Sequence, residues 1–287
     1  MKTLVLGASG LLGNAVFRVL AEQSPDVAGT VRDMAAGRFF APELREKLVA
    51  AGDLEDDSRL ARLFDEVRPD AVVNCISVGQ PAPADPMRTI ALLSVLPQRL
   101  ARVCERAGAR LLQMGTDGVF SGAKGAYTEA DRPDATDLYG TAKFLGELRE
   151  THTVTLRTSI LGPELGTHRS LLEWFLSQQG ECRAYTRAIF SGFPSVVLAQ
   201  VIRDVVLPQP RLHGVYHLAT RPISKFELLQ LVAGRWGKEI RLVADDSVVM
   251  DRSLDAARFR EATGYTPPAW PQLVDTMHDY QFGLARI

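Results

Sequence analysis

The first half of the chain alternates short apolar runs with longer stretches of helical period. Thr3–Leu6, Val27–Val31, Ala71–Ile76 and Arg110–Met114 are brief and mostly apolar. Between them, Leu11–Ala21, Ser58–Val67 and Ile90–Ala107 repeat apolar residues every three or four positions. Short apolar runs separated by helices are the signature of parallel strands covered on both faces. Leu44–Val49 reads as a further short helix, and a small β stretch is expected to end at Asp53-Leu54. A helix from Tyr139 to about Glu150 and a strand over Val154–Thr158 continue the βαβα order, which predicts an α/β fold with a doubly wound parallel sheet.

Beyond Gly162 the pattern is less regular. Leu171–Gln178, Val196–Val205 and Lys225–Gly234 read as helices, Gly214–Leu218 as a short strand, and Leu273–Tyr280 as a last helix after the turn-rich stretch Gly264–Pro271. No repeat or low-complexity segment interrupts the chain. The expected division is residues 1–161 as a dinucleotide-binding domain and 162–287 as a smaller C-terminal α/β substrate lobe, some of whose segments return to the first domain.

Composition narrows the function classes. Lys plus Arg is 33 and Asp plus Glu is 34, a net charge of -1. That balance gives no electrostatic reason to expect nucleic acid or an anionic membrane as partner. Cys75, Cys104 and Cys182 are odd in number and widely spaced, which argues against a disulfide framework or a thiolate metal site, and the five histidines lack paired ligand spacing. No metal is expected. Met1-Lys2 and the apolar stretch to Leu20 loosely resemble a secretory leader, but Gly7, Gly10 and Gly13 fall inside it and no small-residue cleavage site closes it. With no run of about 18 apolar residues, no membrane span is expected either, and the reading is cytoplasmic.

The strongest local signal is Gly7-Ala8-Ser9-Gly10-Leu11-Leu12-Gly13, between a strand and a helix. Glycines at such a turn let the backbone approach a pyrophosphate, and the helix start offers free N–H groups and partial positive charge. The spacing GxxGxxG differs from the GxGxxG usual for dinucleotide enzymes. At the tip of the second strand an acid suits the ribose hydroxyls of NAD, whereas an arginine suits the 2′-phosphate of NADP. Here Arg32 favours NADPH, while the adjacent Asp33 keeps NADH open. Asp53 and Leu54 are placed to meet the adenine, or to serve only as a turn before the next helix.

A second signal is Tyr139-Gly-Thr-Ala-Lys143. Residues four apart share a helix face, so phenol and ammonium can reach one ligand. A nearby cation is expected to lower the tyrosine pKa and suit it to proton exchange with a carbonyl or alcohol oxygen. Thr116 follows the strand ending at Met114, at the sheet edge where α/β folds bind ligands.

Taken with Asn74-Cys75, Gly115-Thr-Asp-Gly-Val-Phe120, Gly125-Ala-Tyr-Thr-Glu129, Leu156-Arg-Thr-Ser-Ile-Leu-Gly162, Gly192-Phe-Pro-Ser195 and Asp251-Arg-Ser-Leu254, these motifs make the chain resemble the extended short-chain dehydrogenase/reductases, and among them the dTDP-4-dehydrorhamnose reductase group of nucleotide-sugar 4-ketoreductases. The resemblance implies a Rossmann-type fold and an NAD(P)H-dependent reduction of a 4-keto nucleotide-diphosphate sugar for surface polysaccharide or glycoconjugate synthesis. It implies Thr116, Tyr139 and Lys143 as the catalytic set. Tyr139 would give the proton to the C4 oxygen, Lys143 would hold the nicotinamide ribose, and Thr116 would orient the oxygen. Gly7, Ser9, Gly10, Leu11, Leu12, Gly13, Asn74, Cys75 and Ile76 would line the cofactor, and Ser77, Asp117, Gly118 and Ile160 the sugar. Arg157 and Thr158 match the strand that leads into the substrate lobe.

The chain departs from that group at Gly118 and Ile160, where aromatic residues are common, and at Leu93, where an asparagine is frequent. Trp174, Phe175 and Phe190 are candidates to replace the missing aromatic wall. Two other readings share the motifs: a nucleotide-sugar 4-epimerase that retains NAD, and a regulatory subunit that binds the dinucleotide without turnover. The oligomeric state is left open by the sequence; the Tyr139 and Ile90–Ala107 helices often pair subunits in the superfamily that the chain resembles, which makes a homodimer one expectation.

Overall fold

The computed structural model describes residues 1–78, 85–166 and 169–282. Its first half places β1 (Thr3–Leu6), α1 (Leu11–Ala21), β2 (Val27–Val31), α2 (Pro42–Arg45), β3 (Leu48–Ala50), α3 (Asp57–Val67) and β4 (Ala71–Asn74) in order. After these come α4 (Pro86–Ile90), α5 (Leu96–Ala107), β5 (Arg110–Met114), α6 (Leu138–Leu145) and β6 (Thr153–Arg157). The strand Gly214–His217 joins these six in one parallel sheet of order Gly214–His217, β6, β5, β4, β1, β2, β3. The order reverses between β1 and β4, so a crevice opens at their carboxyl ends. The α/β expectation and the doubly wound sheet hold.

Alternation along β1 divides the core. Val5 joins α1 residues such as Val16 and Phe17 on one face, where Val196 and Leu273 from the second half close over them. Leu4 and Leu6 face the other way, onto Leu60, Phe64, Leu96 and Leu100 of α3 and α5. Helix Ser195–Val201 packs on α1, and Trp270–Phe282 packs on Ser195–Val201. The later half of the chain thus supplies one sheet strand and part of one helical layer.

Several element assignments change. Leu44–Val49 is not a helix: helix α2 stops at Arg45 and Leu48–Ala50 is the edge strand β3. A three-residue apolar run satisfies either period, and pairing with β2 decides it. Asp53-Leu54 therefore lies beyond the strand, in a turn where the Asp53 carboxylate accepts from Glu55 N. Helix α6 ends at Leu145 rather than near Glu150. The long helix begins at Pro86 and contains a π turn over Ala91–Val95. Pro97 has no N–H for the Leu93 carbonyl, and the wider turn absorbs that loss. The freed carbonyl lies against Gly146, where any Cβ would overlap it.

Strands of the second half that the pattern did not reveal include Glu181–Tyr185, which pairs with Arg241–Asp245, and Ala188–Phe190, which pairs with Ile223–Ser224 and Met250–Asp251. In Glu181–Tyr185 the inward positions are only Cys182 and Ala184, too weakly apolar to stand out between charged neighbours.

One buried polar network ties α6 to the sheet. Arg157 of β6 holds Glu147, just past α6, through Nε at 2.6 Å and Nη2 at 2.8 Å, with both side chains almost wholly buried. Its third nitrogen faces His217 Nε2 at 3.1 Å, and His217 Nδ1 faces the Tyr127 carbonyl at 3.0 Å. Burial, then the Arg157 charge, push the His217 pKa down to about 4, so the ring is neutral, accepting at Nε2 and donating at Nδ1. Arg157 is thus structural. Removing one partner of a buried ion pair costs about 3–5 kcal/mol, because the other charge stays buried alone. Glu147→Ala should lose about that much stability in urea unfolding. Pairing Glu147→Leu with Arg157→Met should cost less than the single change.

Candidate active site

The glycine turn forms because β1 must reverse into α1 within a few residues. Gly7 takes φ +79, a left-handed conformation that L side chains rarely adopt. Gly7 N donates to Thr30 Oγ1 at 3.1 Å and Gly10 N to the Gly7 carbonyl at 2.9 Å, which closes the turn. A Cβ on Gly13 would overlap that same carbonyl, so the third glycine lets the helix pack against the turn and does not line the cleft. Gly10 is the N-cap of α1 and no side chain caps the helix. The first-turn N–H groups are therefore available to an anion, and this cradle fits a dinucleotide pyrophosphate.

A cleft of about 550 Å³ runs along the carboxyl edge of the sheet from this turn. At one end it is lined by Arg32, Asp53, Leu54 and Arg88, and in the middle by Ser9, Leu11, Leu12 and the stretch Cys75–Val78. At the other end stand Thr116, Asp117, Tyr139, Lys143 and Ile160. Asp33 is absent from the lining. Its carboxylate accepts from Ala35 N at 2.8 Å and caps a short 3-10 turn, leaving Arg32 as the charge that the second strand presents. Arg32 makes no ion pair among the described residues.

Asn74 is a correction. Its side chain is fully buried, donating to Gln113 Oε1 at 2.8 Å and accepting from Ile76 N at 3.1 Å. It shapes the bend that brings Cys75, Ile76 and Ser77 to the cleft, and does not line it. Gly118 is another: it is buried in the 3-10 turn after Thr116, with its carbonyl pressed against Gly140 of α6. Trp174, Phe175 and Phe190 do not line the cleft either. Phe175 and Phe190 are core and Trp174 is 40% exposed, so none of them supplies an aromatic wall.

At the reactive end, Lys143 is 6% exposed and its ammonium donates to the Met114 carbonyl at 2.7 Å. Burial pulls its pKa down to about 8, against smaller opposing effects of Cys75 and Glu147. Tyr139 corrects the expected electrostatics: its pKa is raised, not lowered. Burial is the main cause, outweighing hydrogen bonds with Ser77 and Thr116. Thr116 Oγ1 accepts from Gly118 N at 3.0 Å and approaches Asp117 Oδ1 at 3.4 Å. Burial raises the Asp117 carboxyl to about 6, against the fields of Arg252 and Lys225 and hydrogen bonds with Thr116 and Ser159. The Cys75 thiol is likewise pushed up to about 12 by burial.

The sequence reading missed Arg88, Ser159, Thr30 and Glu164, all of which line the cleft. Ser159 follows β6 and was accessible to the rule that ligands lie beyond strand ends. Arg88 had no such signal; it reaches the cleft from α4 and lies 3.7 Å from Asp53 and 3.8 Å from Glu55. Among the described residues no group of His, Cys, Asp and Glu is arranged to hold a metal ion, and no helix is long and apolar enough to cross a membrane.

Known proteins match this architecture over most of the chain. The methionine adenosyltransferase 2 subunit beta of Xenopus tropicalis is 24% identical, covering 96% of this chain and 89% of its own. A probable low-salt glycan biosynthesis reductase of Haloferax volcanii is 33% identical over 150 residues, about half of each chain. The crystal structure of dTDP-4-dehydrorhamnose reductase from Bacillus anthracis in complex with NADP superposes with a TM-score of 0.79 at 18% identity, covering 97% of this chain and 99% of that one. The family described as the RmlD substrate binding domain matches residues 1–279, and the chain belongs to that family.

Proposed function

We propose that the protein is an NADPH-dependent reductase of a 4-keto nucleotide-diphosphate hexose, dTDP- or UDP-linked, serving the synthesis of surface polysaccharide or glycoconjugate precursors. The observation that carries this reading is the convergence of Thr116, Tyr139 and Lys143 at one end of a cleft whose other end offers the uncapped glycine turn and Arg32. Gly7, Ser9, Gly10, Leu11 and Leu12 hold the pyrophosphate, Arg32 takes the 2′-phosphate with Arg88 beside it, and Asp53 and Leu54 flank the adenine. Cys75 and Ile76 line the path to the nicotinamide. NADPH, when bound, supplies hydride to the keto carbon.

The chain's own residues manage the proton. Burial keeps the Tyr139 phenol protonated at neutral pH, which is the form a reductase needs. Tyr139 donates that proton to the developing alkoxide, and Lys143 on the same helix face stabilises the phenolate left behind. Thr116 and Ser77 are the hydroxyls beside the Tyr139 phenol, placed to orient it and the keto oxygen. Asp117 and Ile160 border the sugar. The exposed apolar side chains of Ile90, Val95, Phe144 and Leu145 on α4, its π turn and α6 support pairing of two copies through these helices.

A regulatory subunit is the second reading, favoured by the similarity to methionine adenosyltransferase subunit beta over 96% of this chain. A 4-epimerase would share Tyr139 and Lys143 but would have no use for an arginine specific to the exchangeable NADPH pool.

General acid catalysis contributes about 10²–10⁴-fold, so Tyr139→Phe should bind NADPH normally and lose kcat by that factor. A variant keeping above about a tenth of wild-type kcat would remove Tyr139 from the acid role. Arg32→Ala should weaken NADPH by about 10- to 150-fold, the worth of a charge-assisted hydrogen bond, and leave NADH nearly unchanged in direct titrations. Equal weakening of both would make the arginine structural. Lys143, with its pKa depressed to about 8, is charged below that pH and neutral above it. The pH profile of kcat/KM should therefore fall as pH rises through about 8, and a profile flat to pH 10 would oppose the role given to Lys143.

A further inference from the structure

Thr116 and Tyr139 reach the same end of the cleft from different elements, and two glycines make the contact between those elements. Thr116 is the N-cap of the 3-10 turn Asp117–Val119, and Tyr139 lies in the first turn of α6. Gly118 joins the two. Its N–H donates to Thr116 Oγ1 at 3.0 Å and fixes the hydroxyl, while its carbonyl rests against Gly140, the residue after Tyr139. Gly140 is buried. A Cβ added to it would overlap the Gly118 carbonyl oxygen and stand 2.5 Å from the Ala135 Cβ, well inside the separation of about 3.5 Å at which such atoms rest.

Gly140 lies inside α6 and is not left-handed, so the helix itself has no need of a glycine there. The close approach is its use. Restraints hold the joint from several sides. Asp134 N and Ala135 N donate to the Val119 carbonyl at 3.1 and 3.0 Å, which docks the entry to α6 on the turn. Asp137 caps the helix by accepting from Gly140 N at 2.9 Å. Farther along, Lys143 Nζ donates to the Met114 carbonyl, and Ser94 Oγ donates to the Ala142 carbonyl at 2.9 Å. With α6 tied down at these points, a carbonyl pushed away from Gly140 must carry the turn, and Thr116 with it, away from Tyr139.

We propose that Gly140 is a positioning residue for the proton transfer: its bare Cα lets the Gly118 carbonyl seat against α6 and so sets the distance between the Thr116 hydroxyl and the Tyr139 phenol. The proposal rests on the keto-sugar reductase reading for the reaction that this spacing serves. Gly140 does not line the cleft and acts only through its neighbours. The Thr116 hydroxyl lowers the pKa of the phenol against the larger effect of burial, in keeping with the two groups being held together. Relieving the overlap at a new Cβ takes about 1 Å of movement, and a misplacement of about that size costs about 10²-fold in rate.

The test is a double-mutant cycle of Gly140→Ala and Thr116→Val in the full chain, read in two ways. One readout is kcat with NADPH and the dTDP- or UDP-4-keto hexose that turns over fastest. The other is the Tyr139 resonance in NADP⁺-loaded protein whose tyrosines carry ¹³C at Cζ, assigned with Tyr139→Phe. Gly140→Ala should lower kcat by about 10²-fold while NADPH affinity stays near wild type. Thr116→Val should lower kcat and shift the resonance in the wild-type background, and do little of either once Gly140→Ala is present. Gly234→Ala, at a helical glycine with open space around it, should change neither. Asp137→Ala loosens the same joint without crowding it and should act in the same direction, with Asp137→Asn restoring wild-type behaviour because asparagine caps equally well. Additive effects in either readout, a kcat of Gly140→Ala within about threefold of wild type, or a resonance indifferent to Thr116→Val would each overturn the proposal. If Gly140→Ala does not fold, Asp137→Ala takes its place in the cycle and the same results decide. If the wild type reduces no keto nucleotide sugar, the reductase reading falls and the resonance cycle alone decides the positioning role.

Discussion

A parallel sheet leaves the carbonyls and amides at its carboxyl edge without partners from neighbouring strands, and the cleft is built from what satisfies them. Because the strand order reverses between β1 and β4, helices leave this edge toward opposite faces and a crevice remains between them. The glycine turn occupies one side, its amides left uncapped. The Met114 carbonyl at the end of β5 receives the Lys143 ammonium on the other side. This contact fixes α6 against the sheet and sets Tyr139, one turn earlier, over the same opening. A glycine between α6 and β6, Gly146, lets the helix come close enough to the π turn for that geometry.

Burial governs the chemistry of the site more than neighbouring charge does. Tyr139, Lys143, Asp117 and Cys75 are all moved toward their neutral forms by desolvation. A protonated phenol beside a lysine that titrates near 8 is poised to donate a proton. Where charges are kept fully buried they pair directly, as between Arg157 and Glu147.

Much of this was legible in the residues. The glycine turn, Arg32 and the Tyr139–Lys143 spacing are local patterns with a direct physical meaning, and Gly7, Ser9, Gly10, Leu11, Leu12, Arg32, Tyr139 and Lys143 all line the cleft. Asn74 was misread because a strand-end polar residue serves equally well to line a ligand or to cap the strand's own turn, and only the Gln113 contact decides. The rise in the Tyr139 pKa was not visible because helix spacing places Lys143 nearby without saying how deeply the phenol is buried. Glu181–Tyr185 and Arg241–Asp245 pair only with each other, at a separation that periodicity cannot register.

The central claim is net reduction of a keto carbon in this cleft, and isotope transfer tests it most directly. Incubation with NADPH deuterated at the nicotinamide C4 and a series of dTDP- and UDP-4-keto hexoses should place one deuterium at C4 of the sugar product for each NADP⁺ formed. Product interconversion without deuterium gain, or a cofactor left unoxidised across the series, would contradict the account.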